Sequence, residues 1–354
     1  MIHKSVFLTV IVLFLSGCSQ NALISNKQPG FKIHNANKLK FSVPTDSGCP
    51  AHWSDNVFYI FASSEFAKRL SGPSLFNLKD DGFVKWDSDE KKSRWIEATY
   101  QDEDGTLYGW YHHEKGPVCR NRLPKYYAAP AIGQGVSHDN GATWFDMGFV
   151  IDDEPNSFNC DTLNKYFPGG SGDCSVIVDQ KKEYIYFLFG TYGGDIEQQG
   201  ISTARMLYND RKQPGGKVWR WCDNGWTQPG INGRNSPIFP AVGDWHSTKP
   251  DAFWGPSVHW NTYLQSYVMI LNHAIDPNFW QEGIYISFNK NLDNPAGWSE
   301  PQLLRKDGSW YPLIVGTDKK KHQTDKLAGK KARYFEQGVS LWEIEFFKPG
   351  EKIN

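Results

Sequence analysis

Net charge is almost absent from this sequence: 38 Lys and Arg against 39 Asp and Glu leave −1 over 354 residues. Recognition of a nucleic acid or of an anionic membrane surface leaves a basic footprint on a chain. None is present, so no nucleic-acid partner is expected, and an uncharged or weakly charged one is. Linkers are missing as well. No Pro/Ser-rich stretch or run of like charge divides the chain, which reads as one domain over 31–347 with a short tail at 348–354. All-β rings and barrels routinely reach this length. Cysteine is scarce at 6 residues, and no Cys/His spacing fits a structural zinc site. Past the N-terminal apolar segment no helix is predicted. What the sequence has in quantity is aromatic side chains and turn formers: 15% Phe, Trp and Tyr, including 15 Trp, with 33 Gly and 20 Pro. That mixture suits many short strands joined by tight turns.

A four-fold recurrence organises those strands into a polar or acidic opening, a short apolar strand, a tight turn and an aromatic-rich second strand. It runs from Asp46 through Phe58-Tyr-Ile-Phe-Ala62, and from Glu97 through Leu107-Tyr-Gly-Trp-Tyr111. It returns from Asp173 through Tyr184-Ile-Tyr-Phe-Leu-Phe189, and from Asp251 through Tyr267-Val-Met-Ile-Leu271. A long-period repeat of strand pairs is the signature of a β-propeller, in which each blade buries its faces against the next. The spacing leaves room for four strands per unit. A fifth unit would open at Trp310 and use 310–315, 332–335 and 340–346, with 38–43 returning as its last strand to close the ring. The polar segment 318–331 reads as a loop. The expected fold is therefore all-β, a five-bladed β-propeller.

Propeller geometry gives those openings a common address. If the inner strands stand around one axis, the residues that open them converge on one end of it, so Asp46, Glu97, Asp173 and Asp251 are expected to share a pocket. The ends of the second strands return to the same rim and bring Glu65, His113, Tyr192 and His273 within reach of it. Adjacent residues of an extended segment face opposite sides, so His112 and His113 do not act together as a metal pair.

The segment Ser137-His-Asp139-Asn-Gly141-Ala-Thr143-Trp144 resembles the Asp-box turn of sialidases and related propellers. In that motif the Asp caps the turn's own amides, the Gly supplies positive φ and the Trp packs into the blade, which makes Asp139 a structural residue. The mature chain as a whole resembles the five-bladed glycoside hydrolases of family 43 and their neighbours in families 32, 62 and 68. Asp46 before Phe58-Tyr-Ile-Phe-Ala-Ser-Ser64 is similar to the first blade, whose Asp is the general base. Gly172-Asp173-Cys-Ser-Val-Ile-Val-Asp179 is similar to the third, whose Asp tunes the acid and orients substrate. Trp254-Gly255-Pro256-Ser257-Val258 stands where the family has its general-acid Glu, so that Glu is here a Trp. Ser47 likewise replaces the usual Pro after the first-blade Asp.

Glycoside hydrolysis needs one carboxyl to protonate the leaving oxygen and a second to activate water or attack the anomeric carbon. With Trp254 in the acid's place, Glu97 or Asp251 is expected to substitute, and Trp254 itself offers a face for a sugar ring. The expected function is glycoside hydrolysis of an oligo- or polysaccharide by a monomer that needs no cofactor, with a Ca²⁺ ion at the axis left open. The alternative is a non-catalytic glycan-binding protein that kept the pocket and lost the acid.

At the N-terminus, Lys4 precedes an apolar run over 6–15 that is too short to span a bilayer. The following Leu15-Ser-Gly-Cys18 resembles the lipobox of bacterial lipoproteins. That resemblance implies a signal peptide over 1–17, lipidation of Cys18 and a tether over 18–30. It places the protein at the bacterial cell envelope, outside the cytoplasm, lipid-anchored and at the outer membrane. Of the five remaining cysteines, Cys160 and Cys174 flank a Gly-Gly loop and are the expected disulfide. A Cys18→Ser chain is expected to lose incorporation of a labelled fatty acid and to be released or left unprocessed; equal labelling of both forms rejects the anchor.

Overall fold

The computed structural model describes residues 28–88, 93–119 and 127–353. Cys18 and the expected signal and tether up to residue 27 lie outside them. Strand-forming segments and turn residues assemble five sheets, antiparallel but for one short parallel pairing in each of two of them. Each opens with an inner strand: Ala51–Ser54, Trp95–Gln101, Ser171–Val178, Ala252–Asn261 and Pro312–Gly316 for blades I to V. Inner strands pack against those of the next blade from I to V in chain order. The inner strand of blade III is buried along seven of its eight residues, because both of its faces are covered by neighbours.

Five apolar cores lie between the blades, one at each junction. Phe61, Ile96, Leu107 and Trp144 fill I–II, and Trp110, Ile132, Val176 and Phe187 fill II–III. Leu188, Ile201, Val258 and Met269 fill III–IV; Ile270, Ile286, Ile344 and Phe346 fill IV–V. The last, with Phe58, Ile60, Leu313 and Phe335, joins V back to I. The fifth junction closes the ring, as the expected five-bladed propeller requires.

Closure differs in one detail from expectation. The outermost strand of blade V is Gly30–Lys40, not 38–43, and it pairs antiparallel with Val339–Phe347, from Gly30↔Phe347 to Lys40↔Val339. Phe31 and Ile33 turn onto the IV–V core, and Leu39 onto the V–I core. The irregularity between Asn35 and Leu39 lets one strand serve both faces. The 318–331 segment also does more than connect. Its Leu327–Ala328 pairs with Trp260–Asn261 at the far end of the blade IV inner strand. Asp325 accepts the Ala51 amide of blade I, and Lys326 donates to Ser175 Oγ of blade III at 2.8 Å. This loop lies across the axis and joins three inner strands.

In the turn between the last two strands of blade II, Asp139 accepts hydrogen bonds from Ser137 Oγ and from Thr143 through both its amide and its hydroxyl. The Trp144 indole donates to the Gly141 carbonyl. Gly141 sits at φ +81° with the Phe61 ring where a Cβ would fall, so only glycine fits. The disulfide is Cys119–Cys160, which corrects the expected Cys160–Cys174 pairing. Cys174 belongs to an inner strand and turns into the II–III core, away from the loop that carries Cys160.

The closing strand makes a direct prediction. Phe31→Ala and Ile33→Ala each remove a partly buried side chain from the IV–V core, and each is expected to lower unfolding free energy by about 1–2 kcal/mol, read from denaturant midpoints. Unchanged midpoints would show that the ring does not depend on this strand.

Candidate active site

Three inner strands break register where they approach the axis: between Ile96 and Ala98, between Gly172 and Cys174, and between Trp254 and Ser257. A bulge bends its strand and re-aims the extra residue. In blades II and III those residues are Glu97 and Asp173. Asp173 adopts φ +46°, a region Asp tolerates better than most side chains. In blade IV the bulge falls on Gly255 and Pro256, with Trp254 before it.

The two bulges place Glu97 and Asp173 beside His112 of the neighbouring strand. Donor atoms of the three lie within 4.8 Å of one another, and each residue is at most 5% exposed. Glu97 accepts the Cys174 amide. Asp173 accepts the hydroxyl of Tyr192, and the Tyr311 phenol lies close enough to feel its charge. The Asp173 amide donates to His112 Nδ1 at 3.0 Å, and His112 Nε2 faces Glu114 at 3.7 Å. Gly172 has no room for a side chain, since a Cβ there would meet the His112 ring at 2.6 Å. Asp46 is solvent-exposed, at the mouth of the cluster and within the field of Asp173, Glu114 and His112.

Burial sets the protonation of these groups. Desolvation, opposed by His112 and reinforced by Asp173, raises the Glu97 pKa to about 7. Asp46 is exposed as a residue, but the walls around its carboxyl strip part of its hydration, and with the charges of Asp173 and Glu114 this raises its pKa to about 6. Asp173 is also shifted upward, by burial first. For His112, burial disfavours the cation, but Glu114, Asp173 and Glu97 outweigh it and pull its pKa up to about 9. The backbone contact resists that pull, because an Nδ1 that accepts the Asp173 amide has no proton of its own. The observed geometry is that of the neutral ring with its proton on Nε2. Charging His112 would require the amide contact to open.

Glu97, His112 and Asp173 are also the residues that could hold a metal ion. They supply two carboxylates and one imidazole, a mixed set with fewer oxygens than the six to eight a calcium ion takes. Each is already engaged with a protein donor.

Not every expected residue reaches this place. Asp46, Glu97, Asp173 and Tyr192 come together. Asp251 does not: it precedes its strand by one residue, its side chain is 46% exposed, and its partner is His273 Nε2 at 2.9 Å. His273 is bonded on its other side to Glu282 at 3.1 Å. The blade IV bulge lies deeper than Asp251, so Trp254 takes the level that Glu97 and Asp173 occupy in their blades. Trp254 is 2% exposed and packs edge-on against Phe279, Trp310 and Tyr311, so it offers no open face to a sugar. His113 points to the other side of its strand, bonding the Ser93 carbonyl and stacking on Phe149. Glu65 is exposed and accepts Ser93 Oγ. Asp139 stays in its turn, far along the blade. Tyr311 was missed by the sequence reading, which took Trp310 as the opening of blade V. His112 was named with His113, and only side alternation against the buried strand face separates them.

No family model matches the sequence, and no curated protein does. Solved structures do. A thermostable family-43 glycoside hydrolase is 10% identical, with 86% of this chain and 89% of that chain covered and a TM-score of 0.51. The endo-arabinase of Bacteroides thetaiotaomicron is 12% identical over 86% of this chain and 94% of that one, also at 0.51. The fold is the five-bladed propeller of these hydrolases. An exo-β-1,3-galactanase from Phanerochaete chrysosporium is 12% identical over 88% of this chain at a TM-score of 0.47, and this chain spans 64% of its length.

Stability should register the desolvated carboxyl. Glu97 ionises near pH 7 in the folded protein, against an ordinary value of 4.5, so its contribution is complete below the lower value and is lost as pH rises through the upper one. His52 and His259, lowered to about 3 by burial, act oppositely, costing stability as pH falls below 6.5. Comparing wild type with Glu97→Gln isolates the carboxyl. Between pH 5 and pH 8 the variant is expected to gain on wild type by on the order of 1–3 kcal/mol in chemical denaturation. A difference that stays flat with pH rejects the raised pKa.

Proposed function

We propose that this protein is a glycoside hydrolase acting on an oligo- or polysaccharide outside the cytoplasm, held at the cell envelope through Cys18. The observation that carries this reading is the buried Glu97–Asp173 pair beside Asp46: carboxyls held above their ordinary range, as a proton donor to a glycosidic oxygen must be. A carboxylate oxygen of Glu97 and one of Asp173 lie within 4.8 Å of each other. Acid and base of a glycosidase stand about 5–5.5 Å apart in retaining enzymes and about 6.5–9.5 Å apart in inverting ones. That separation is shorter than either range, so the pair serves as the acid side of the site and Asp46 at the mouth is the second carboxylate. In this scheme the pair releases a proton to the leaving oxygen, and Asp46, ionised above about pH 6, takes the proton of the attacking water or attacks the anomeric carbon itself. Tyr192 holds the Asp173 carboxyl in place.

Trp254 favours a second reading. With the family's acid position filled by a packed indole, the pocket would bind a glycan without cleaving it. Turnover of a panel of aryl glycosides and neutral oligosaccharides separates the two. Glu97→Gln and Asp173→Asn are expected to lower kcat by roughly a hundred-fold or more while KM changes little. A wild type that cleaves nothing in the panel yet is stabilised against heat by one of its members leaves the binding reading standing.

A further inference from the structure

Beside the carboxylates, and separate from them, runs a groove of about 410 Å³ lined by the rings of Tyr166, Trp280 and Trp310 and the amides of Asn278, Gln281 and Gln337. No lining residue carries a charge. A groove of similar size between blades II and III is instead lined by Asp153, Glu154, Asp195 and Arg234, so the neutrality of this one is a local property.

The turn that builds the groove is held in an uncommon conformation. Asp276 accepts the amides of Asn278 and Trp280, and Phe279 sits at φ +60°, where a bulky residue is strained. That conformation drives the Phe279 ring into the aromatic core, where it is 3% exposed, and leaves Trp280 outside at 70% exposure. The carbonyl of Phe279 also accepts the Trp310 indole at 3.0 Å, and Tyr166 stands edge-on to both Phe279 and Trp310. Two of the three rings are thus fixed in advance, and the third is presented to solvent.

The groove is joined to the carboxylates at two points. Trp310 lines it, while the next residue, Tyr311, lies in the field of Asp173. Tyr166 lines it too, and its phenol lies in the field of Asp46. Aromatic faces flanked by carboxamides suit a ligand with apolar C–H faces and many hydroxyls, and a lining without charge gives a carboxylated sugar no counter-ion. We propose that this groove binds a neutral saccharide, with Trp280 as a stacking platform that holds a chain against the mouth of the carboxylate cluster. The proposal rests on the carbohydrate reading above but not on turnover.

The test is binding by the full-length chain carrying Glu97→Gln, titrated with neutral arabino-, xylo-, galacto- and gluco-oligosaccharides and with oligogalacturonate, followed by Trp fluorescence and calorimetry. A neutral oligosaccharide is expected to bind more tightly than oligogalacturonate. Adding Trp280→Ala should weaken it roughly ten-fold or more at an unchanged Tm, and Trp280→Phe should recover part of the loss. Equal binding with and without Trp280, preference for the acidic oligosaccharide, or no binding to any neutral member overturns the groove. Trp280-dependent binding by a wild type that hydrolyses nothing defeats the hydrolase reading and leaves the groove intact. Hydrolysis of aryl glycosides with oligosaccharide binding indifferent to Trp280 does the reverse.

Discussion

Ring closure presses five inner strands together with apolar cores on either side, and the chemistry at the axis follows from the exclusion of water there. Five inter-blade cores force the inner strands into contact. A carboxylate carried inward by such a strand loses its hydration, and burial is the first cause of the upward shift in both Glu97 and Asp173. The same two side chains on the rim would ionise like any others. Packing between blades and acidity at the axis are one phenomenon seen at two radii.

Desolvation alone would make those groups a liability, because a buried charge without partners is costly. The bulges resolve this by exposing backbone amides to the side chains that need them. The break in blade III frees the Cys174 amide for Glu97 and the Asp173 amide for His112. The phenol of Tyr192 then fixes Asp173. In blade IV the corresponding break carries a glycine and a proline, and the indole beside it closes the position with packing instead of charge. The axis is consequently lopsided, acidic toward blades I to III and aromatic toward blades IV and V.

Blade count was legible because each blade announces itself twice, in a turn-bounded inner strand and in an aromatic second strand. Glu97 and Asp173 were legible because they stand at the acidic openings of recurring aromatic strand pairs. Asp251 looked like another acidic strand opening and yet stays outside, since the bulge that decides which residue faces the axis leaves no mark in periodicity. The partner of Cys160 was hidden for a related reason. Loops that are distant in sequence meet only after the blades have docked, and Cys174 looked available only because the burial of its strand on both faces could not be read locally. The closing strand began earlier than expected because Phe31 and Ile33 are too few to stand out beside the polar residues around them.

The loop that crosses the far end of the axis gives the ring a floor. With Asp325, Lys326 and the short strand at Leu327 tied to blades I, III and IV, the central space is a cup and not a tube. A polymer cannot be threaded through it, and any molecule that reaches the carboxylates must back out through the opening by which it came.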